Sequence, residues 1–153
     1  MRRICDAGLA LLKKAEGLRL NAYLDGGGVW TIGFGHTGKD VHEGMSITPG
    51  EAERLLMVDL CWAEAGVDAL TRDVPTSDCQ FAAMVLLAYN IGFGDPPKVS
   101  GFKTSTVLKM HRLGNYPKAA NAFLLWKYDN GRVVQGLINR REMERSLYLG
   151  ELA

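Results

Sequence analysis

An α+β fold, mostly helical, is what this 153-residue sequence predicts, and three features carry the prediction. Residues 18–45 set short β-prone runs between glycines. A capped run, "TPGEAERLLMVDLCWAEAGVDALTR", keeps helical spacing for far longer than an average helix. From Ser77 onward the pattern is helical again, broken by one loop rich in Pro and Gly.

The elements follow in order. Asp6 is placed to cap a first helix running to about Glu16, with Gly17 just past its end. Tyr23, Val29, Trp30, Ile32 and Phe34 then mark short strands joined by glycine turns. Thr48 is the predicted cap of the long helix, with Pro49 at its first position and Glu51 closing a capping box. Its apolar face is Leu55, Leu56, Leu60, Ala63, Val67 and Leu70. At 1.5 Å per residue that helix is on the order of 30 Å long, enough to bridge two lobes. "SDCQFAAMVLLAYNIG" is apolar on nearly every side, so it predicts a buried helix stopped at Gly92. "FGDPPKVSGF" reads as a loop, and shorter helices are predicted over 105–113, 117–127 and 137–149.

Composition narrows the function classes. Hydrophobic residues make up 47% and charged residues 23%, an ordinary globular balance. The net charge of +1 hides an asymmetry. Residues 1–97 carry 8 basic and 13 acidic side chains (−5), and residues 98–153 carry 10 basic and 4 acidic (+6). A basic C-terminal part suits a polyanion, nucleic acid or bacterial wall, or is simply a solvated surface. Cys5, Cys61 and Cys79 are odd in number and widely spaced. They imply reduced thiols, with neither a disulfide framework nor metal-ligand spacing. The N-terminal "MRRICDAGLALLKK" has a short apolar stretch interrupted by Asp6, so no export signal is expected there, nor any membrane-spanning segment.

Two carboxylates carry the chemistry. Glu16 lies four residues after Leu12 and seven after Leu9, on one helix face. If that face points inward, desolvation favours the protonated acid that general-acid catalysis at a glycosidic oxygen requires. If it points outward, Glu16 is a surface residue paired with Lys13. Asp25, in "YLDGGG", stands at a turn and should stay ionised, able to serve as base or charge stabiliser. Thr31 follows on a strand, where it could hold a water or sugar hydroxyl. Each has an ordinary structural reading as well. As a phosphate cradle, "GGG" lacks both a following helix and a lysine.

Taken together, Glu16-x8-Asp25-x5-Thr31 sits inside "EG…AY.D..G.WTIG.GHTG". That constellation resembles the phage-type lysozymes, the endolysin family, and most of all its lambdoid branch. The resemblance spans essentially the whole chain, through "TIGFGHTG", "YNIGFG", "SGFKTSTVLKM", "AANAFLLW" and "GLINRREMERSLYL" in order. It implies a small N-terminal α/β lobe with a hairpin sheet (about 1–47), a connecting helix (about 48–72) and a larger helical lobe (about 73–153). The active site is then expected in a cleft between the lobes.

By the same resemblance Glu16 is the general acid, Asp25 orients or activates the attacking water, and Thr31 helps place it. The implied reaction is inverting hydrolysis of the β-1,4 bond between N-acetylmuramic acid and N-acetylglucosamine in peptidoglycan, for host cell lysis. Gly33 and Gly35 are expected to let strand backbone approach the polysaccharide, and Gly26, Gly27 and Gly28 to make the turn beside Asp25. His36 is expected to be structural. Thr37, Tyr89, Ser105 and Arg140 are the expected substrate contacts, with Arg140, rather than Arg141, reaching the acid. On residues alone, "INRREMER" reads as a solvated face helped by Glu142 and Glu144. No cofactor or metal is implied. The expected protein is a monomer made in the host cytoplasm that reaches the periplasm and wall once a holin permeabilises the membrane. A lytic transglycosylase would leave Asp25 and Thr31 unexplained, and a non-catalytic wall-binding module would need neither carboxylate. A nucleic-acid binder would want interleaved basic and aromatic residues, which the chain lacks.

Overall fold

A computed structural model describes residues 1–152 and divides into two compact units. One is Leu12–Trp62; the other joins Met1–Leu11 to the residues from Ala63 onward. Two helices contribute to both: α1, Asp6–Glu16, and α2, Pro49–Thr71. The α+β, mostly helical class expected from sequence is what the chain adopts.

In the Leu12–Trp62 unit, α1 ends where Gly17 adopts φ 71° and its N–H bonds the Lys13 carbonyl at 3.0 Å. Only a residue without a Cβ takes that left-handed turn cheaply. At the other end of α1, in the larger unit, Leu9 N–H bonds the Cys5 carbonyl. The capping position is therefore Cys5, and Asp6, expected as the cap, is the first helical residue. Three antiparallel strands follow in sequence order: β1 (Arg19–Leu24), β2 (Trp30–Gly33) and β3 (His36–Thr37). Tyr23 faces Thr31 and Leu24 faces Trp30, with a bulge between Arg19 and Tyr23. Thr31 faces Thr37 and Ile32 faces His36 across β2 and β3. The first part of α2 packs on this sheet, capped as expected by Thr48, whose Oγ1 accepts the Glu51 N–H at 3.1 Å. Leu12, Ile32, Val41, Ala52, Leu56 and Leu60 form the buried core here. Gly33 belongs to that packing: a Cβ added there would meet Ala52 and Ile47 at 3.4 Å. It faces α2, so the expected approach to a polysaccharide does not hold for this glycine.

The larger unit is organised on α3, Asp78–Ile91. Ser77 and Gln80 exchange side-chain and backbone bonds in a capping box, and every residue from Phe81 to Ala88 is buried. Around it lie α4 (Thr106–Arg112), α5 (Tyr116–Ala122) and α6 (Gln135–Tyr148). The helix expected over 117–127 stops early and tightens into a 3₁₀ turn over Phe123–Leu125. A two-strand hairpin, β4 (Tyr128–Asp129) with β5 (Arg132–Val133), follows it. Sequence reasoning left this hairpin out, although its signal was available. Asn130 and Gly131 both take positive φ, 49° and 75°, the Asn-Gly turn that suits twisted antiparallel strands.

Candidate active site

Glu16, Asp25 and Thr31 all fall in the Leu12–Trp62 unit. Glu16 is the last residue of α1 and is half-buried. Lys13, its partner in the alternative reading, forms an ion pair with Glu53 on α2 at 2.8 Å. The turn between β2 and β3 lies against the Glu16 carboxylate. Gly35 has φ 85°, and a Cβ added there would stand 3.4 Å from Glu16 Oε2. A bare backbone at this turn is what lets the strand pair approach the acid.

Asp25 and Thr31 are organised through Val29, which sequence reasoning read only as part of a strand. Asp25 Oδ1 accepts the N–H groups of Gly27 at 2.8 Å and Val29 at 2.9 Å, an Asx-type closure of the hairpin turn. The Asp25 N–H bonds the Val29 carbonyl at 3.0 Å, and the Thr31 hydroxyl donates to that same carbonyl at 3.0 Å. Asp25 is exposed, yet its carboxylate is tethered in one orientation. Thr31 is only 4% exposed. Because its single proton is committed to Val29, it offers a third party lone pairs only. Asp25 and Thr31 therefore present two acceptors held by the two ends of one residue.

His36 braces the small sheet. Nδ1 lies 2.7 Å from Asp59 on α2 and Nε2 lies 3.0 Å from Asp40. Burial lowers the imidazole pKa, but the bonds to Asp59 and Asp40 outweigh it and raise the value above 6.5. This is the geometry of a bracing ion pair, with both ring nitrogens occupied. Thr37 is exposed and pairs with Thr31 in register.

The remaining predicted residues sit in the larger unit. Tyr89 is half-buried in the last turn of α3. Ser105 is buried at the start of α4, where its hydroxyl accepts from Leu108 N–H at 3.2 Å and donates to the Phe102 carbonyl at 2.7 Å. Arg140 lies on α6 with its Nε 3.7 Å from Glu144 Oε2. Arg141 and Glu144 overturn the solvated-face reading of this helix: they are 0% and 1% exposed and pair at 2.7 Å. Arg141 also donates to Asn90 Oδ1 at 2.8 Å. Burial pushes the Glu144 carboxyl up to about 7, against the pull of both guanidiniums. A hollow of about 470 Å³ beside this pair is lined by Asn90, Lys98, Trp126, Tyr128, Leu137 and Arg141.

Comparisons with known proteins show the family. The family model described as Phage lysozyme matches residues 13–144. The chain belongs to the phage lysozyme family. An endolysin of Salmonella phage P22 is 44% identical over 153 residues, covering 97% of this chain and 99% of the relative. An endolysin of Bacillus phage B103 is 43% identical over 148 residues, 95% of this chain and 54% of the relative, so the chain spans about half of that longer protein. Among solved structures, the endolysin from Escherichia coli O157:H7 phage FAHEc1 superposes with a TM-score of 0.88 at 35% identity, covering 99% of this chain and 96% of that one. Family membership makes the chain a lysozyme-type glycoside hydrolase of the endolysin class.

Proposed function

We propose that this lysozyme cleaves the β-1,4 bond between N-acetylmuramic acid and N-acetylglucosamine in peptidoglycan by hydrolysis with inversion. One observation carries the reading: the Val29 peptide groups hold Asp25 and Thr31 as two acceptors, in the same unit as Glu16. A water that donates one proton to Asp25 and the other to Thr31 has a lone pair left to attack the anomeric carbon. Glu16 gives its proton to the glycosidic oxygen, so the leaving sugar departs as an alcohol. Asp25 takes the proton that the attacking water loses. A water between base and sugar, with the acid on the opposite face, yields the inverted anomer.

Thr37, Tyr89, Ser105 and Arg140 are the proposed contacts to the glycan, Ser105 through the α4 start that its hydroxyl caps. The reading needs no metal or cofactor. Among the described residues no helix is long and apolar enough to cross a membrane. The proposed route is accumulation as a monomer in the host cytoplasm, then passage to the wall once a holin has opened the membrane.

Mass spectrometry of digested peptidoglycan tests the chemistry. Hydrolysis leaves reducing N-acetylmuramic acid ends, and proton NMR of the first product should show the α-anomer. Anhydro ends, lighter by one water, would replace the reading with a lytic transglycosylase. Bound but uncut wall would leave a wall-binding module.

A further inference from the structure

The start of α1 runs along the start of α3 in a fixed register. A Cβ added at Gly8 would stand 2.7 Å from the Ala82 Cβ and 3.8 Å from its Cα, so the backbones come very close at this point. Three residues earlier on each segment, one helical turn back, stand Cys5 and Cys79. Cys5 Sγ lies 4.0 Å from the carbonyl of Asp78, the residue before Cys79, and the Cys5 thiol is near enough to Cys79 to raise its pKa. The segment before α1 is fastened on both sides of this contact. Arg2 donates to the Thr76 carbonyl at 2.9 Å and to Asp78 Oδ1 at 2.8 Å, while the Ile4 N–H donates to the buried Glu64 at 2.9 Å. All of these residues belong to one compact unit. Both thiols are half-buried.

We propose that Cys5 and Cys79 are a redox-responsive pair that closes to an intramolecular disulfide when the folded protein meets a low-molecular-weight disulfide. One cysteine thiolate attacks a sulfur of the reagent, RSSR, forming a mixed disulfide and releasing RS⁻. The other thiolate attacks the protein sulfur of that adduct, forms the Cys5–Cys79 bond and expels the second RS⁻. Two protein thiols are oxidised, one RSSR is reduced to two RSH, and the thiol protons end on the reagent. Holding the two cysteines side by side on packed segments favours the second step over escape of the mixed disulfide. The bridge ties the residues preceding α1 to the first turn of α3 and closes a long loop, which constrains the unfolded chain. Burial, then the Cys5 thiol beside it, raises the Cys79 thiol, so closure should quicken as pH rises from about 7 toward 9. The bridge does not depend on the catalytic reading.

The test treats native protein with oxidised glutathione. Its mass should fall by two hydrogens, with one tryptic fragment pair linked through Cys5 and Cys79. The melting temperature should rise by about 5 °C or more, and dithiothreitol should reverse both changes. Cys61→Ser should behave like wild type, since Cys61 bonds the Met57 carbonyl within α2. Cys5→Ser and Cys79→Ser should each give at most a glutathione adduct with no thermal gain. A wild-type protein that stays fully reduced, stops at a stable adduct, forms a covalent dimer or bridges to Cys61 overturns the pair. A Cys5–Cys79 bridge with no thermal gain overturns its role as a staple.

Discussion

The glutamate ending α1 is the residue on which catalysis is proposed to turn, and Glu16→Gln isolates the proposed proton transfer. The amide keeps the shape and removes only the transferable proton, so turnover should fall by about 10²–10⁴-fold or more. Melting temperature should hold or rise, because groups kept for catalysis commonly cost stability. A folded variant retaining above about a tenth of wild-type activity contradicts the acid role. His36 governs stability instead. Its folded pKa is raised, so the stabilisation is complete below the unfolded value near 6.5 and is lost as pH climbs through the higher folded value. His36→Asn should therefore cost about 2 kcal/mol near pH 5.5, or about 4–8 °C, and progressively less toward pH 9. His111 works in the opposite sense. Burial first, and then Arg112, lowers it to about 4, so between roughly pH 6.5 and 4 the unfolded chain takes up a proton that the folded one refuses. Comparing variant with wild type at each pH cancels the His111 contribution. A His36→Asn deficit that does not change with pH would remove the ion pair from the account.

Among the elements, the hairpins show how glycine placement separates packing from chemistry. Gly33 faces Ala52 and Ile47, Gly35 faces Glu16, and Gly26 has open space around it. With φ values of 68° and 85°, Ala at position 33 or 35 should each cost about 1–2 kcal/mol of unfolding free energy. Only Gly35→Ala should lower kcat beyond its effect on stability, while Gly26→Ala should change neither. Equal kcat for the Gly33 and Gly35 variants would argue against a role for the turn at Glu16. On α6, Arg141, Glu144 and Tyr148 fall at i, i+3 and i+7, a buried stripe that happens to carry an ion pair. Removing one partner strands a buried charge. Glu144→Ala should thus cost about 3–5 kcal/mol by urea denaturation, and the double change Arg141→Met with Glu144→Leu distinctly less. A double variant as unstable as the single one would mean that the pair itself, and not the stranded charge, holds α6.

At the scale of the whole molecule, charge distribution and access matter most. Residues 98–153 carry +6 against −5 for the rest. If that part docks on an anionic wall, activity on whole cell walls should drop as salt rises to several tenths molar, where screening is nearly complete within about 5 Å. A short uncharged chitooligosaccharide should show a weaker dependence. Identical salt curves for the two substrates would rule out electrostatic docking. The proposed route makes a cellular prediction too: expression alone should leave bacteria intact until chloroform or a holin opens the membrane. Prompt lysis without either would show that the chain reaches the wall by another path.

Much of this protein was legible without coordinates, for a physical reason. Helix stops, caps and the buried α3 depend on neighbours within a few residues, so Gly17, Thr48 and the apolar run Phe81–Ala88 were readable directly. The spacing of Glu16, Asp25 and Thr31 was equally local, and a whole-chain family resemblance added what no single residue could. Burial and long-range pairing were not local. "INRREMER" has the composition of a solvated face, and only packing against α3 decided that Arg141 and Glu144 lie inside it. Gly33 and Gly35 are two residues apart and chemically identical. Tertiary contact alone set one against α2 and the other against a carboxylate. Cys5 and Cys79, widely separated in sequence, became neighbours for the same reason. The sequence by itself determined which groups the chain could use and where its helices begin and end, because those depend on covalent neighbours. The tertiary structure decided which of those groups lose water and which meet, because solvation and contact are set by what folds in from elsewhere along the chain.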